Sequence, residues 1–207
     1  IAMSDWSSDV CSSDLEKMGY TVPAGISNKH LHVSEADFKV LFGADAEMTH
    51  FKDLSQPGQF ATEEKVDIVG PRGTLKGIRI LGPYRKQTQV ELARTDCFAV
   101  GIDIVLRESG KLEGTPGCKL VGPAGEVEIE EGVIVAKRHI HLSTAQAEEA
   151  GVKNGDIVSV KFDGPRALTF DEVVVRAGDT HERDMHLDTD EANAAGLSNG
   201  QLGEIIK

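Results

Sequence analysis

"KRHIHLSTAQ", residues 137–146, sets two histidines at i and i+2 just ahead of what reads as the first turn of a helix. A near copy, "NKHLHVSEAD", occupies residues 28–37. On an extended segment, side chains two apart share a face, so each copy presents two imidazoles side by side. Ser34 with Asp37, and Ser143 with Gln146, have capping-box spacing. Gly43 and Gly151 then stand where such helices would stop. The run "GVIVAKRHIHL" is rich in β-branched residues, which predicts a strand leading into the histidines.

The repetition extends along the chain. "HLSTAQAEEAGVKNGDIVSV", from His141, aligns with "HLDTDEANAAGLSNGQLGEI", from His186. Identical residues fall at Leu142/Leu187, Thr144/Thr189, Ala147/Ala192, Gly151/Gly196 and Gly155/Gly200, among others. A looser fourth copy, "VELARTDCFAVGI", carries Glu91 where His186 stands. Hairpins are predicted to turn at "GPRG" within residues 66–81, at "GPAG" within 118–136 and at "DGPR" within 156–177. Short strands with Gly/Pro turns at regular spacing predict a mainly β chain with short capping helices. The expected architecture is two similar tandem β-barrels of double-psi type, residues 21–110 and 111–207, with room for strand exchange between them.

The N-terminus stands apart. "WSSDVCSSDL", residues 6–15, back-translates with suitable codons into a common sequencing-adapter sequence. Residues 1–20 are therefore expected to be non-native or disordered and are set aside from the fold.

Composition narrows the function classes. The chain of 207 residues has a formal net charge of −12, which argues against a nucleic-acid partner. It has no apolar run of membrane-spanning length. Three cysteines, Cys11, Cys97 and Cys118, form no CxxC and no even framework, which fits a reducing compartment. Cys97 and Cys118 read as packing residues. Four of the seven histidines lie in the two His-x-His pairs.

Registering the repeats yields two ligand sets. His30, His32 and Glu91 form one; His139, His141 and His186 form the other. Two imidazoles with a carboxylate, or three imidazoles, are typical of catalytic zinc with an open position, and cobalt fits nearly as well. Without the registry, Glu91 would read as an ordinary solvated carboxylate. His50 and His181 fall outside the pattern and are expected at the surface or behind the ligands. Arg85 offers a planar, two-pronged donor for an anion beside the metals. Arg72 and Arg166 read as turn residues and Lys86 as a solvated one.

Several long segments, "SNKHLHVS", "LSQPGQFATEEKVDIVGPRG", "ILGPYRKQTQVELARTD", "GVIVAKRHIHLS" and "RDMHLDTDEANAAG", resemble the PduL-type phosphate acyltransferases, which include the phosphotransacylase of bacterial microcompartments. The resemblance covers residues 22–207. It implies two β-barrels with the active site between them. It also implies reversible conversion of a short-chain acyl-CoA, propanoyl-CoA or acetyl-CoA, and inorganic phosphate into acyl phosphate and CoA. Two zinc ions would be held by the two triads, Arg85 would contact phosphate, and Ser27, Lys52 and Arg79 would contact CoA. The implied partners are acyl-CoA, CoA and phosphate, with room for a homo-oligomer. The implied place is the bacterial cytoplasm, or a microcompartment for propanediol degradation if a native N-terminal targeting helix precedes this chain. Two other readings stay open: a metal-dependent thioesterase using activated water, and a metal-stabilised binding module without turnover.

Overall fold

The computed structural model describes residues 19–206. Its first half contains β1 (Thr21–Ser27), β2 (His30–His32), α1 (Glu35–Phe42), β3 (His50–Asp53), β4 (Phe60–Val69), β5 (Thr74–Gly82), β6 (Gln89–Glu91), α2 (Arg94–Val100) and β7 (Leu106–Arg107). There follow β8 (Cys118–Val121), β9 (Glu126–Ile129), β10 (Val133–Ala136), β11 (His139–Leu142), α3 (Thr144–Ala150), β12 (Ile157–Phe162), β13 (Leu168–Ala177), β14 (Asp184–Asp188), α4 (Thr189–Ala195) and β15 (Leu202–Ile206). The mainly β architecture with short capping helices is the one expected. The non-native or disordered segment expected at residues 1–20 lies, up to residue 18, outside the described residues. Tyr20 already belongs to the fold: it packs on a hydrophobic core, and its carbonyl accepts from Ile205 N at 2.9 Å.

Six strands close into a barrel in the order β1-β14-β11-β13-β12-β15. The remaining nine form an open sheet, β7-β10-β6-β2-β5-β4-β8-β9, with β3 on β4. The two sheets repeat one wiring. β2 pairs parallel with β5 and antiparallel with β6, as β11 pairs parallel with β13 and antiparallel with β14. The strand before each histidine pair crosses to the other sheet: β1 runs parallel beside β14, and β10 parallel beside β6. Sheet membership thus does not follow chain order. The barrel closes because β15 bridges β1 and β12. In the other sheet that place is divided between β7, next to β10, and β8, next to β4, so it stays open.

The predicted turns are present between β4 and β5, β8 and β9, and β12 and β13. One reading needs correction. The run through residue 136 is not a simple hairpin, because β10 leaves β9 to pair with β6 and β7. Local pattern cannot show this: a buried apolar strand such as "VIVA" fits any neighbour that covers it.

The helices cap where the sequence placed them. Ser34 and Ser143 accept from the backbone N of Asp37 and Gln146. Asp188 does the same for α4 with Glu191. Gly151 and Gly196 end α3 and α4 in the left-handed region, at φ 64° each, where a Cβ would be strained. Arg72 and Arg166, at equivalent turns, donate to the carbonyls of Phe98 in α2 and Ala194 in α4, which is the structural role expected of them.

Two cores result, one inside the barrel and one under the open sheet. Each includes the residue between a histidine pair: Ile140 in the first, Leu31 in the second, both fully buried. Replacing either by Ala should cost about 2–5 kcal/mol, read as a lowered midpoint of chemical denaturation with an unchanged slope.

Candidate metal centre

Alternation decides what the histidines face. Leu31 and Ile140 point into the cores, so the flanking histidines share the opposite face of each strand. The antiparallel neighbour supplies the third residue in register: His30 sits opposite Glu91, and His139 opposite His186. The ligand atoms of His30, His32 and Glu91 all lie within 4.8 Å of one another, and so do those of His139, His141 and His186. All six residues predicted from the repeats are therefore brought together as two equivalent triads. Glu91 and His186, the one chemical difference, occupy the same register position.

The local hydrogen bonds suit metal ligation. His30 Nδ1 donates to Asn28 O, and His139 Nδ1 to Lys137 O, each at 2.8 Å. A proton fixed on Nδ1 leaves the Nε2 lone pair free. His139 Nε2 then stands 3.0 Å from His141 Nε2, two basic nitrogens facing one point. In the first triad His30 Nε2 is 3.6 Å from Glu91 Oε2, and His32 Nδ1 is buried without a hydrogen-bond partner. These donors fit a divalent cation of borderline softness.

Burial keeps the rings neutral. It is the main cause holding His32 down to about 3, His139 to about 4 and His141 to about 2, with neighbouring histidines adding to it. Burial alone would raise Glu91, but His30, His32, His139 and Arg85 around it outweigh that and hold it at about 2. Burial also lowers Arg85, against the pull of Glu91, and Arg176 adds to the lowering.

Each triad contributes to the wall of one cavity. Glu91 lines it from one half, His139 and His186 from the other, with Ser27, Lys29 and Lys137 at its sides. Arg85 Nη1 donates to Ser109 Oγ at 3.1 Å. Of the expected CoA contacts, Ser27 lines this cavity. Arg79 is the register partner of His30 and lies 4.4 Å over the Phe51 ring. Lys52 is exposed on β3 and outside the lining. His181 lies behind a ligand, its Nδ1 2.6 Å from His141 Nδ1. His50 is exposed and pairs with Asp53.

Sequence reasoning missed four polar residues here. Ser109 donates to Glu91 Oε1 at 3.0 Å. Asp184 accepts from His186 Nε2 at 3.2 Å and from Ser55 Oγ at 2.6 Å. Arg176 is the register partner of His141 on β13. Of these, Asp184 left a trace, since it precedes His186 by two and so shares its face.

The lowered histidines make stability depend on pH in a definite direction. An unfolded chain protonates these rings near 6.5, whereas the folded chain resists until about 4 at His139 and about 3 at His32. The unfolded state binds more protons in that window, so stability falls as pH drops through it. The melting temperature of the metal-stripped protein should fall steadily from pH 6.5 toward 4; a flat profile would refute the buried neutral rings.

The chain is similar to known proteins over most of its length. Residues 23–198 match the phosphate propanoyltransferase family. The chain is 52% identical to the phosphate propanoyltransferase of Thermotoga maritima over 153 residues, 73% of each chain. It is 49% identical to that of Sebaldella termitidis over 157 residues, 75% of this chain and 74% of the relative. It is also 49% identical to that of Listeria monocytogenes over 150 residues, 72% and 70% respectively. With all six triad residues and Arg85 inside the matched span, the chain belongs to the phosphate propanoyltransferase family.

Proposed function

We propose that this phosphate acyltransferase moves the acyl group of a short-chain acyl-CoA, propanoyl-CoA or acetyl-CoA, reversibly to inorganic phosphate, releasing CoA and acyl phosphate. The observation that carries the reading is the pair of equivalent triads, each contributing to one cavity, with an arginine whose guanidinium, among the described residues, hydrogen-bonds a serine hydroxyl and no carboxylate. His30, His32 and Glu91 would hold one divalent ion and His139, His141 and His186 a second, zinc best fitting the donors and cobalt next. Bound there, such ions supply Lewis-acid polarisation and charge for a departing thiolate and for phosphate.

The residues of the chain do the rest. Arg85 carries five N–H donors, and Ser109 occupies one nitrogen at 3.1 Å. The remaining donors can grip phosphate oxygens and the oxyanion that grows on the acyl carbonyl. Holding phosphate and thioester in one cavity supplies the orientation that makes direct attack efficient. A phosphate oxygen forms the new C–O bond, the C–S bond breaks, and CoA leaves as the thiolate. No cysteine competes as nucleophile among the described residues: burial pushes the Cys97 thiol up to about 11 and the Cys118 thiol to about 12. Ser27 at the cavity wall, with Arg79 and Lys52 on β5 and β3, is assigned to the CoA moiety, whose phosphates call for cations.

Among the described residues no helix is long and apolar enough to cross a membrane. The microcompartment association and the place in propanediol degradation rest on the resemblance alone.

The test is CoA release from propanoyl-CoA and acetyl-CoA with and without phosphate. Release should require phosphate; phosphate-independent release would mark the thioesterase. Arg85→Ala should lower kcat/KM by about 10²–10³ and raise the KM for phosphate more than that for acyl-CoA. Full activity in that variant would sink the assignment.

A further inference from the structure

The two triads differ at one ligand, and the residue two places before that ligand differs with it. β6 reads Gln89-Val90-Glu91, and β14 reads Asp184-Met185-His186. Gln89 lies opposite His32 and Asp184 opposite His141, so the two hold the same place in the two sheets. Both are buried.

Their hydrogen bonds run in opposite senses. Gln89 Nε2 donates to Glu91 Oε1 at 2.5 Å. Asp184 Oδ2 accepts from His186 Nε2 at 3.2 Å. A distant serine completes each set. Ser109 Oγ donates to the same Glu91 oxygen at 3.0 Å and accepts from Gln89 Nε2 at 2.7 Å. Ser55 Oγ donates to Asp184 Oδ2 at 2.6 Å.

The chemistry of the ligands explains the reversal. An ionised carboxylate only accepts, so its neighbour has to donate. A neutral imidazole that ligates through one nitrogen carries a proton on the other, so its neighbour has to accept. A glutamine held as Gln89 is, with its carbonyl taken by Gly110 N and its amide by Ser109, offers no acceptor to a histidine; aspartate beside glutamate would set two buried carboxylates side by side.

Both partners are built into place. Gly110 N donates to Gln89 Oε1 at 2.8 Å. Asp184 lies against Gly25 of β1, where a Cβ would come within 2.5 Å of its Oδ1. Ser55 belongs to the turn "LSQPGQF", residues 54–60, which the proposed reaction does not otherwise use. Its neighbour Gln56 is buried and grips both backbone groups of Glu182, donating to O at 3.0 Å and accepting from N at 3.2 Å. A turn of the first half thus reaches across to hold the second triad.

We propose that Gln89 and Asp184 are positioning residues matched in polarity to the metal ligand two places on, and that Gln89/Glu91 and Asp184/His186 act as pairs whose members do not interchange singly. Ser109 and Ser55 lock each pair. The inference rests on the reading of the two triads as metal centres.

Bound metal is the readout, measured by elemental analysis and zinc competition with a chromogenic chelator. His186→Glu should lose the second metal equivalent. The double variant Asp184→Gln with His186→Glu rebuilds the first centre's pair in the second and should regain it, binding at least about ten-fold more tightly than the single variant. The mirror set, Glu91→His against Gln89→Asp with Glu91→His, should behave alike at the first centre. Ser55→Ala, too mild a change to threaten folding, should weaken one of the two equivalents by about ten-fold, and Ser109→Ala the other. A double variant that binds no better than its single, or serine variants with unmoved competition curves, would overturn the pairing. Wild-type protein that binds no metal would instead overturn the reading of the triads, leaving the two failures distinct.

Discussion

The two-residue period of an extended strand sets the centre of this molecule. In β2 and β11 one apolar side chain stands between two histidines. Leu31 and Ile140 are each fully buried, worth about 1.5–3 kcal/mol apiece against exposure. That burial fixes which face turns inward, and so holds both imidazoles on the other face. A slip of one residue would drive the histidines into the cores and expose the aliphatic side chains. Packing and ligand geometry are therefore one constraint, and the antiparallel neighbours β6 and β14 add the third donor by register.

The exchange of β1 and β10 explains why the two triads meet. Each strand leaves its own histidine pair to lie parallel beside the strand that carries the other triad's third residue, His186 for β1 and Glu91 for β10. Ser27, at the end of β1, and Ala136, at the end of β10, consequently line the same cavity. The linkers are tied down alike: Lys29 pairs with Asp96 of α2 at 2.8 Å, and Arg138 with Glu191 of α4 at 3.0 Å. Thr95 N, in α2, bonds to Asp190, in α4, at 2.8 Å, so the helices abut across the seam. The halves share strands as well as a cavity, and neither sheet is made from one half alone.

How much of this was legible in sequence depended on distance along the chain. The histidine pairs, their caps and the Gly/Pro turns are local, and the repeat gave Glu91 its register with His186 although Glu91 lacks any motif of its own. Ser55 and Ser109 were invisible because they reach their partners over 129 and 18 residues and sit in segments without repeat counterparts. The route of β10 was hidden for a related reason. Its apolar run continues β9 in sequence, and it is the departure of β1 to β14 that leaves the place beside β6 for it. The fourth repeat looked loose for a physical cause too: Ala93 at the start of α2 makes no side-chain cap, whereas Ser34, Ser143 and Asp188 do.

The charge around the triads is arranged against the charge of the whole. The chain carries −12, a field that repels phosphate and CoA alike. At the seam, guanidinium groups come in from both halves. Arg85 comes from the first half, while Arg176 comes from the second as the register partner of His141. They lie near enough for Arg176 to disfavour the charge of Arg85. Neither guanidinium forms an ion pair with a carboxylate within 4.0 Å among the described residues. Burial disfavours the charged form of His32, His139 and His141, so these rings add ligands without adding repulsion. Two like charges set together at the meeting of two cation-ready triads are strained by each other's field, and an anion between them relieves that strain. The acidic exterior then costs the site little, because exposed carboxylates beyond a Debye length of about 8–10 Å are largely screened.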